Sequence, residues 1–323
     1  NRSIRGPFYE MNTKNENIRT AVVGVGYLGR FHALIYSRMD SVELVGVNDS
    51  NPEQASAVAA EAGTGSLSVA ELVEQCDAVS IVVPTSLHLE IARPFLEKGV
   101  HMLLEKPIEA DVAKAEEIVR LASESGTTLQ IGHLERYNAG ILALAERIEN
   151  PRFIEAQRMG GFKARATDVD VISDLMIHDI DIILSLVDSE LVSISASGTS
   201  VLTDHIDIAN ARLEFANGAA ANVTASRVSR EDSRRIRVFE PQHYLSLDFI
   251  AQRLETARAV PVEGAEWPEI RTEALDIEPV KPLDAELASF VDCVIHGSQP
   301  VVDGPTGLRA LEVALQIKEK IEQ

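Results

Sequence analysis

The stretch Thr20-Ala-Val-Val-Gly-Val-Gly-Tyr-Leu-Gly-Arg30 is an apolar run that passes through Gly24-x-Gly26-x-x-Gly29, with Tyr27 and Leu28 inside the motif, into a helix-like pattern. In a strand, turn and helix each glycine has its own task. Gly24 permits the tight turn, Gly26 lets the backbone approach a pyrophosphate, and Gly29 lets helix and strand pack closely. Unpaired N–H groups and the dipole at the helix start favour an anion there. Three glycines at this spacing also occur in ordinary turns, so the surroundings matter. Ile18 to Val23 is strand-like, Leu28 to Met39 is helix-like, and a second apolar run, Val42 to Val47, ends at Asp49. Asp49 falls twenty residues after Gly29, where a carboxylate meets the ribose hydroxyls of a dinucleotide.

Outward from this unit, strands and helices alternate. Asn51-Pro52 is a helix start that runs to Gly63, and Ser68-x-x-Glu71 reads as a capping box. The apolar runs Ala78 to Val83, Val100 to Leu104 and Thr128 to Ile131 read as parallel strands covered on both faces. They deliver the chain to Pro84-Thr85-Ser-Leu-His88, to Glu105-Lys106-Pro107 and to Gly132-His133, and a right-handed parallel sheet gathers its ligand chemistry at such carboxyl ends.

Beyond His133 the pattern changes. A helix follows Arg136-Tyr137-Asn138 and ends near Asn150-Pro151, and Arg152 to Met159 reads as a strand. A loop from Gly160 to Asp168 precedes a helix from about Ser173 to Val187, on which Asp174, His178, Asp181 and Ser185 share a polar stripe. From Leu191 the period becomes two, with a hairpin signal at Ala216-Asn217-Gly218 and a strand pair around Glu240-Pro241. The Pro- and Glu-rich stretch from Val260 to Pro282 reads as irregular, and two helices close the chain. The fold class is thus an α/β Rossmann dinucleotide-binding domain, residues 17–133, then an α+β domain with a large, mostly antiparallel open sheet, residues 134–323. Its open face, partly apolar, is a candidate contact for a homodimer or homotetramer. Residues 1–16 are set apart from the fold, and the part before Met11 is read as an expression remnant or an N-terminal extension.

A length of 323 residues suits two domains, and 45% hydrophobic with 25% charged residues is an ordinary globular composition. The formal charge of −20 argues against a nucleic-acid partner, which would need Lys and Arg in excess. It leaves room for an anionic small molecule held by a local basic patch. No apolar run reaches membrane-span length, no secretory signal is visible, and two cysteines without ligand spacing suit a reducing, cytoplasmic setting.

Lys106, fixed between an acidic residue and a proline at a strand end, is a candidate for an ammonium of lowered pKa in a cleft, or else a surface lysine paired with Glu105. Asp174 and His178, four residues apart on a helix, could form a carboxylate-oriented general base whose protonated form the carboxylate favours. The same pair could instead be structural, or two metal ligands. A catalytic metal needs a third ligand, and only Asp181 is at hand, so no metal is assigned.

Together, Gly24 to Gly29, Asp49, Pro84-x-x-x-His88, the run Gly99-Val-His-x-Leu-Leu-Glu105-Lys106-Pro107 and Asp174-x-x-x-His178-x-x-Asp181 resemble the Gfo/Idh/MocA family of oxidoreductases. The resemblance implies NAD or NADP in the first domain and a sugar, polyol or nucleotide derivative against the second domain's sheet. It makes Lys106, Asp174 and His178 the catalytic set, with His178 as proton acceptor. Gly24, Gly26, Tyr27, Leu28, Gly29, Asp49, Pro84, Thr85, His88, Glu105 and Lys106 become the cofactor-binding set. Val83-Pro84-Thr85 stands where many members have Thr-Pro-Asn, and Met176 where many have Gly. Ser50, in place of an arginine that would suit a 2′-phosphate, favours NAD. Within the family, the runs from Gly132 to Asn138, Lys163 to Arg165 and Asp168 to Asp181 are most similar to dehydrogenases that oxidise C3 of UDP-N-acetylglucosamine on the way to lipid A. Arg136, Asn138, Lys163, Arg165 and His178 are then the expected substrate contacts, and Arg136, Arg158, Lys163 and Arg165 a basic patch for a pyrophosphate. A free polyol or hexose such as an inositol is the alternative substrate. A non-catalytic dinucleotide sensor on the same fold is the alternative of another class.

Overall fold

A computed structural model describes residues 17–162, 169–278 and 280–323. The expected N-terminal extension and the expected contacts Lys163 and Arg165 lie outside the described residues. The first half runs β1 (Ile18–Val23), α1 (Tyr27–Tyr36), β2 (Val42–Asn48), α2 (Pro52–Ala62), α3 (Val69–Gln75), β3 (Ala78–Ile81), α4 (His88–Lys98), β4 (His101–Glu105), α5 (Val112–Ser125) and β5 (Leu129–Gly132). All five strands are parallel, in the order β2-β1-β3-β4-β5. Their continuous apolar runs follow from helices on both faces, and every residue of β3 is buried. The caps form as read: the Asn51 side chain accepts the amides of Glu53 and Gln54, and Ser68 and Glu71 close a capping box. Strand order reverses beside β1, which opens a crevice at the carboxyl ends of β1, β3 and β4.

The second half begins with α6 (Ala139–Ala145) and β6 (Phe153–Met159). A π-helical turn, Ile172–Met176, leads into α7 (Ile177–Leu186). Then come β7 (Leu191–Thr199), β8 (Ile208–Phe215), β9 (Ala220–Ser226), β10 (Ser233–Glu240), β11 (His243–Asp248), β12 (Arg253–Val260) and β13 (Glu269–Asp276). They build an eight-stranded sheet in the order β13-β12-β11-β10-β6-β9-β8-β7, in which only β6 and β9 pair in parallel. The period of two buries one face, with Ile154, Leu213, Val223 and Ile236 under α7 and the final helix. On the open face Phe153, Phe239 and Tyr244 stack with centroids 5.8 and 5.0 Å apart, among arginine–carboxylate pairs.

Three details depart from the sequence reading. The helix after Asn138 stops at Ala145, and the backbone amides of Glu149 and Asn150 donate to the Glu240 carboxylate, drawing the chain to the end of β10. The segment expected to be irregular contains β13, fully paired with β12 but exposed along its whole length. An edge strand with no buried face carries no apolar stripe to announce it. The stripe from Asp174 to Ser185 is broken by the π turn, and of its members on α7 Asp181 is buried, His178 half-buried and only Ser185 exposed.

The last two helices, α8 (Pro282–His296) and α9 (Gly304–Glu322), tie the sheets together. Leu287, Phe290 and Val291 of α8 join Tyr36 and Leu103 in the first domain's core, whereas Ala310, Val313 and Ile317 of α9 join the core of the large sheet. Among the described residues no helix is long and apolar enough to cross a membrane. Glu286 of α8 is fully buried, and neither carboxyl oxygen has a hydrogen-bond partner among the described residues. Burial, with the charge of Glu105 added, pushes its pKa well above 4.5. The folded state therefore keeps a proton that the unfolded chain releases. The stability tied to that proton is complete below about pH 4.5 and is lost as pH rises through the folded-state value. Glu286→Gln, which stays neutral, should melt close to wild type near pH 5 and above it near pH 8, with about 1.4 kcal/mol for each pKa unit of displacement. Parallel melting curves at both pH values would rule out a buried neutral acid.

Candidate active site

The glycine turn lies where β1, β2 and β3 end. Gly24 has φ of +85°, and a Cβ at Gly29 would overlap the Gly24 carbonyl, so α1 rests directly on the turn. Gly26 is the N-cap of α1, makes no side-chain cap among the described residues and has nothing within 4 Å of an added Cβ. The helix start is thus an open row of N–H donors, which fits the pyrophosphate of a dinucleotide. Asp49 accepts the Val25 amide at 2.8 Å and the Asn51 amide at 2.9 Å, which holds its carboxylate between the turn and the end of β2. Tyr27 projects into solvent, Leu28 is half-buried, and Pro84 and Thr85 enter a short 3-10 turn across the crevice.

Two expected cofactor contacts have other duties. His88 is 1% exposed and its ring nitrogens face the carbonyls of Ile108 and Val83, both at 3.1 Å, so it pins the Pro84 turn to the chain after β4 and has no nitrogen left for a ligand. Glu105 turns inward, accepting the Lys106 amide at 3.2 Å with His32 Nε2 3.5 Å away. Its carboxylate lies over Gly132, where an added Cβ would come within 2.9 Å of it. Glu105 therefore positions Lys106 from below.

Lys106 reaches across to the second domain. Its Nζ donates to the Asp174 carbonyl at 3.0 Å and lies 3.8 Å from Asp174 Oδ1. Burial pulls its pKa below 10.5, against the opposing pull of Asp174. Lys106, Asp174 and His178 do gather in one place, but the carboxylate serves the lysine. Among the described residues no hydrogen bond or ion pair joins Asp174 to His178, because the wider π turn intervenes and Lys106 takes up Asp174. Nor is the imidazolium favoured, since burial first, then the charges of Lys106 and Arg158, hold the pKa of His178 well below 6.5. The imidazole is neutral at ordinary pH and Nδ1 has no partner among the described residues, the state of a proton acceptor.

The two described members of the expected basic patch are engaged. Arg158 makes a bidentate pair with Asp179 at 3.0 and 2.9 Å and a further bond to Glu135 at 2.9 Å. Although burial works against it, these carboxylates hold its pKa above the usual guanidinium value. Arg136 lies 3.4 Å from Asp181, whose other oxygen is 3.9 Å from His133 Nδ1. Asn138 caps α6 by accepting the Gly140 amide at 2.9 Å, a structural role. Asp181 is thus engaged, and among the described residues no group of three or more His, Cys, Asp or Glu could hold a metal.

Two further residues sit around this set, of which sequence reasoning missed Arg234. His133 is buried, edge-on to His178 with centroids 6.4 Å apart, and Arg234 lines the same cavity as Asp174. That cavity, about 480 Å³, opens between the end of β6, the π turn and the start of β10. His133 was placed at a strand end by the sequence, without a role. Arg234 carries no local signal.

A glycine turn that suits a pyrophosphate in one half, with a lysine of lowered pKa and a neutral histidine where that half meets the other, defines a nicotinamide-dependent oxidoreductase. Comparison with known proteins agrees. Residues 18–133 match the oxidoreductase family with NAD-binding Rossmann fold, and residues 147–240 the GFO/IDH/MocA C-terminal domain. UDP-N-acetylglucosamine 3-dehydrogenase of Acidithiobacillus ferrooxidans is 41% identical over 95% of this chain and 98% of its own. Its crystal structure superposes with a TM-score of 0.88 over the same shares of both chains. Inositol 2-dehydrogenase of Rhizobium meliloti is 26% identical over 92% of this chain and 94% of its own. The chain belongs to the Gfo/Idh/MocA family of oxidoreductases.

The two glycines separate fold from binding. Gly26→Ala should melt within about 0.5 kcal/mol of wild type, as expected of a surface change, yet bind dinucleotide at least tenfold more weakly by fluorescence titration. Gly29→Ala should lose about 1–3 kcal/mol or more through overpacking. Equal melting losses in both would contradict the open helix start.

Proposed function

We propose that the protein is an NAD-dependent dehydrogenase acting on C3 of UDP-N-acetylglucosamine, as a cytoplasmic step toward an amino-sugar lipid A precursor. The observation that carries this reading is Lys106 held at Asp174, which borders the cavity, near a neutral His178 whose Nδ1 has no partner among the described residues. The 41% identity to a dehydrogenase of that name supports the substrate. Residues 17–133 serve the cofactor, with Gly24, Gly26, Gly29 and Asp49 as its contacts. Residues 134–323 serve the sugar and assembly. Ser50 offers no cation to a 2′-phosphate and Asp49 would repel one, which supports NAD over NADP. A nicotinamide held at the glycine turn would supply the hydride acceptor. The chain's own residues handle the hydroxyl: Lys106 donates to its oxygen and favours the developing negative charge, His178 takes its proton, and Asp174 keeps Lys106 aimed. The aromatic strip of Phe153, Phe239 and Tyr244 supports a homodimer or homotetramer through the open face.

Absorbance of reduced nicotinamide, with NAD, a ketone trap and a panel of UDP-N-acetylglucosamine, related sugars and free inositols, tests the reading. Reduction only with free polyols would keep the chemistry and remove the nucleotide. Tight dinucleotide binding without any reduction would favour a sensor. Lys106→Ala and His178→Ala should each lower kcat/KM by roughly 10²–10⁴ while NAD still binds. Since the base must be unprotonated and His178 titrates below 6.5, activity should persist down to that pH and fall only beneath it. An acid limb above pH 7 would remove His178 from the role.

A further inference from the structure

On β10 the arginines alternate between faces. Arg235 and Arg237, on the open face, each meet a carboxylate, Asp248 at 2.9 Å and Glu155 at 3.0 Å. Arg234 faces the other way, directly opposite Arg158 of β6, on the covered side. Among the described residues its guanidinium has no hydrogen bond or ion pair, although the chain carries 50 Asp and Glu against 30 Lys and Arg. Like charges directly across a strand pair repel, and Arg158 is neutralised by Asp179 and Glu135 whereas Arg234 is not. It lines the cavity that also holds Asp174, together with Arg158 and Arg227. Arg227 lies 3.5 Å from Asp207 and donates to the Val169 carbonyl, and the Asp232 carboxylate in the same cavity accepts the Gly161 amide at 3.2 Å. Arg234 is thus left with its fork of donors facing space beside the catalytic set.

We infer that Arg234 binds the diphosphate of the substrate and so selects a nucleotide-linked sugar over a free one. This deepens the proposed function and rests on it. A planar guanidinium suits phosphate oxygens bidentately, and in a protein of charge −20 the anion needs one uncompensated cation at the point of binding.

Calorimetric titration of the NADH-loaded protein with UDP, and with inorganic pyrophosphate, tests the inference without requiring turnover. Arg234→Gln should weaken UDP binding roughly 10- to 100-fold, and Arg234→Lys, which keeps the charge but not the fork, by less. The kinetic loss should fall on KM for the nucleotide sugar rather than on kcat, with NADH affinity unmoved, and added salt should weaken wild type more than Arg234→Gln. Because Arg234 is exposed, both variants should melt with wild type. Wild-type UDP affinity in Arg234→Gln, with wild type reducing NAD on UDP-N-acetylglucosamine, would overturn this inference and leave the function standing. If wild type binds neither UDP nor pyrophosphate and reduces NAD only with free polyols, both fall.

Discussion

The bond from Lys106 Nζ to the Asp174 carbonyl is the junction on which the site depends. It runs from the carboxyl end of a parallel strand to a π turn above the antiparallel sheet, joining the half that suits a dinucleotide to the half that offers a cavity. Each end is braced. Behind Lys106, Glu105 fits over Gly132 and against His32, and α8 packs beneath. Behind Asp174, the π turn runs into the buried helix α7.

Burial and charge settle the protonation states around that junction. Desolvation lowers the proton affinity of Lys106, His178 and His133, while Glu286 keeps its proton for the same reason. Arg158 keeps its charge because two carboxylates surround it. The outcome is a neutral imidazole beside cations, a combination suited to receiving a proton from an alcohol whose oxygen is drawn to an ammonium. Asp174 is engaged with Lys106 and leaves that imidazole to burial and the neighbouring cations.

Much of this was legible in the sequence. The glycine motif, Asp49, the continuous apolar strands and the caps at Asn51 and Ser68 are local signals, because a turn, a capped helix start or a strand covered on both faces depends on residues near in sequence. They determined the Rossmann half, and the period of two determined that a sheet follows. Lys106, Asp174 and His178 were marked by motif and position. Strand β13 escaped because, exposed on both faces, it has no pattern of burial to read.

Only the tertiary structure decided how the charged side chains are partnered. Spacing alone paired Asp174 with His178, and the π turn with Lys106 undid that pairing. Arg136 and Asn138 read as substrate contacts and Arg158 as part of a basic patch, and the fold pairs them with Asp181, the amide of Gly140 and Asp179. Arg234, unremarkable in its run of Ser233-Arg-Arg-Ile-Arg237, stood out as a cation without an ion pair among the described residues only when sheet register set it against Arg158. Backbone conformation is chosen largely by neighbours in the chain, whereas a long charged side chain pairs with whatever the fold brings within reach, and that partner is written elsewhere in the sequence.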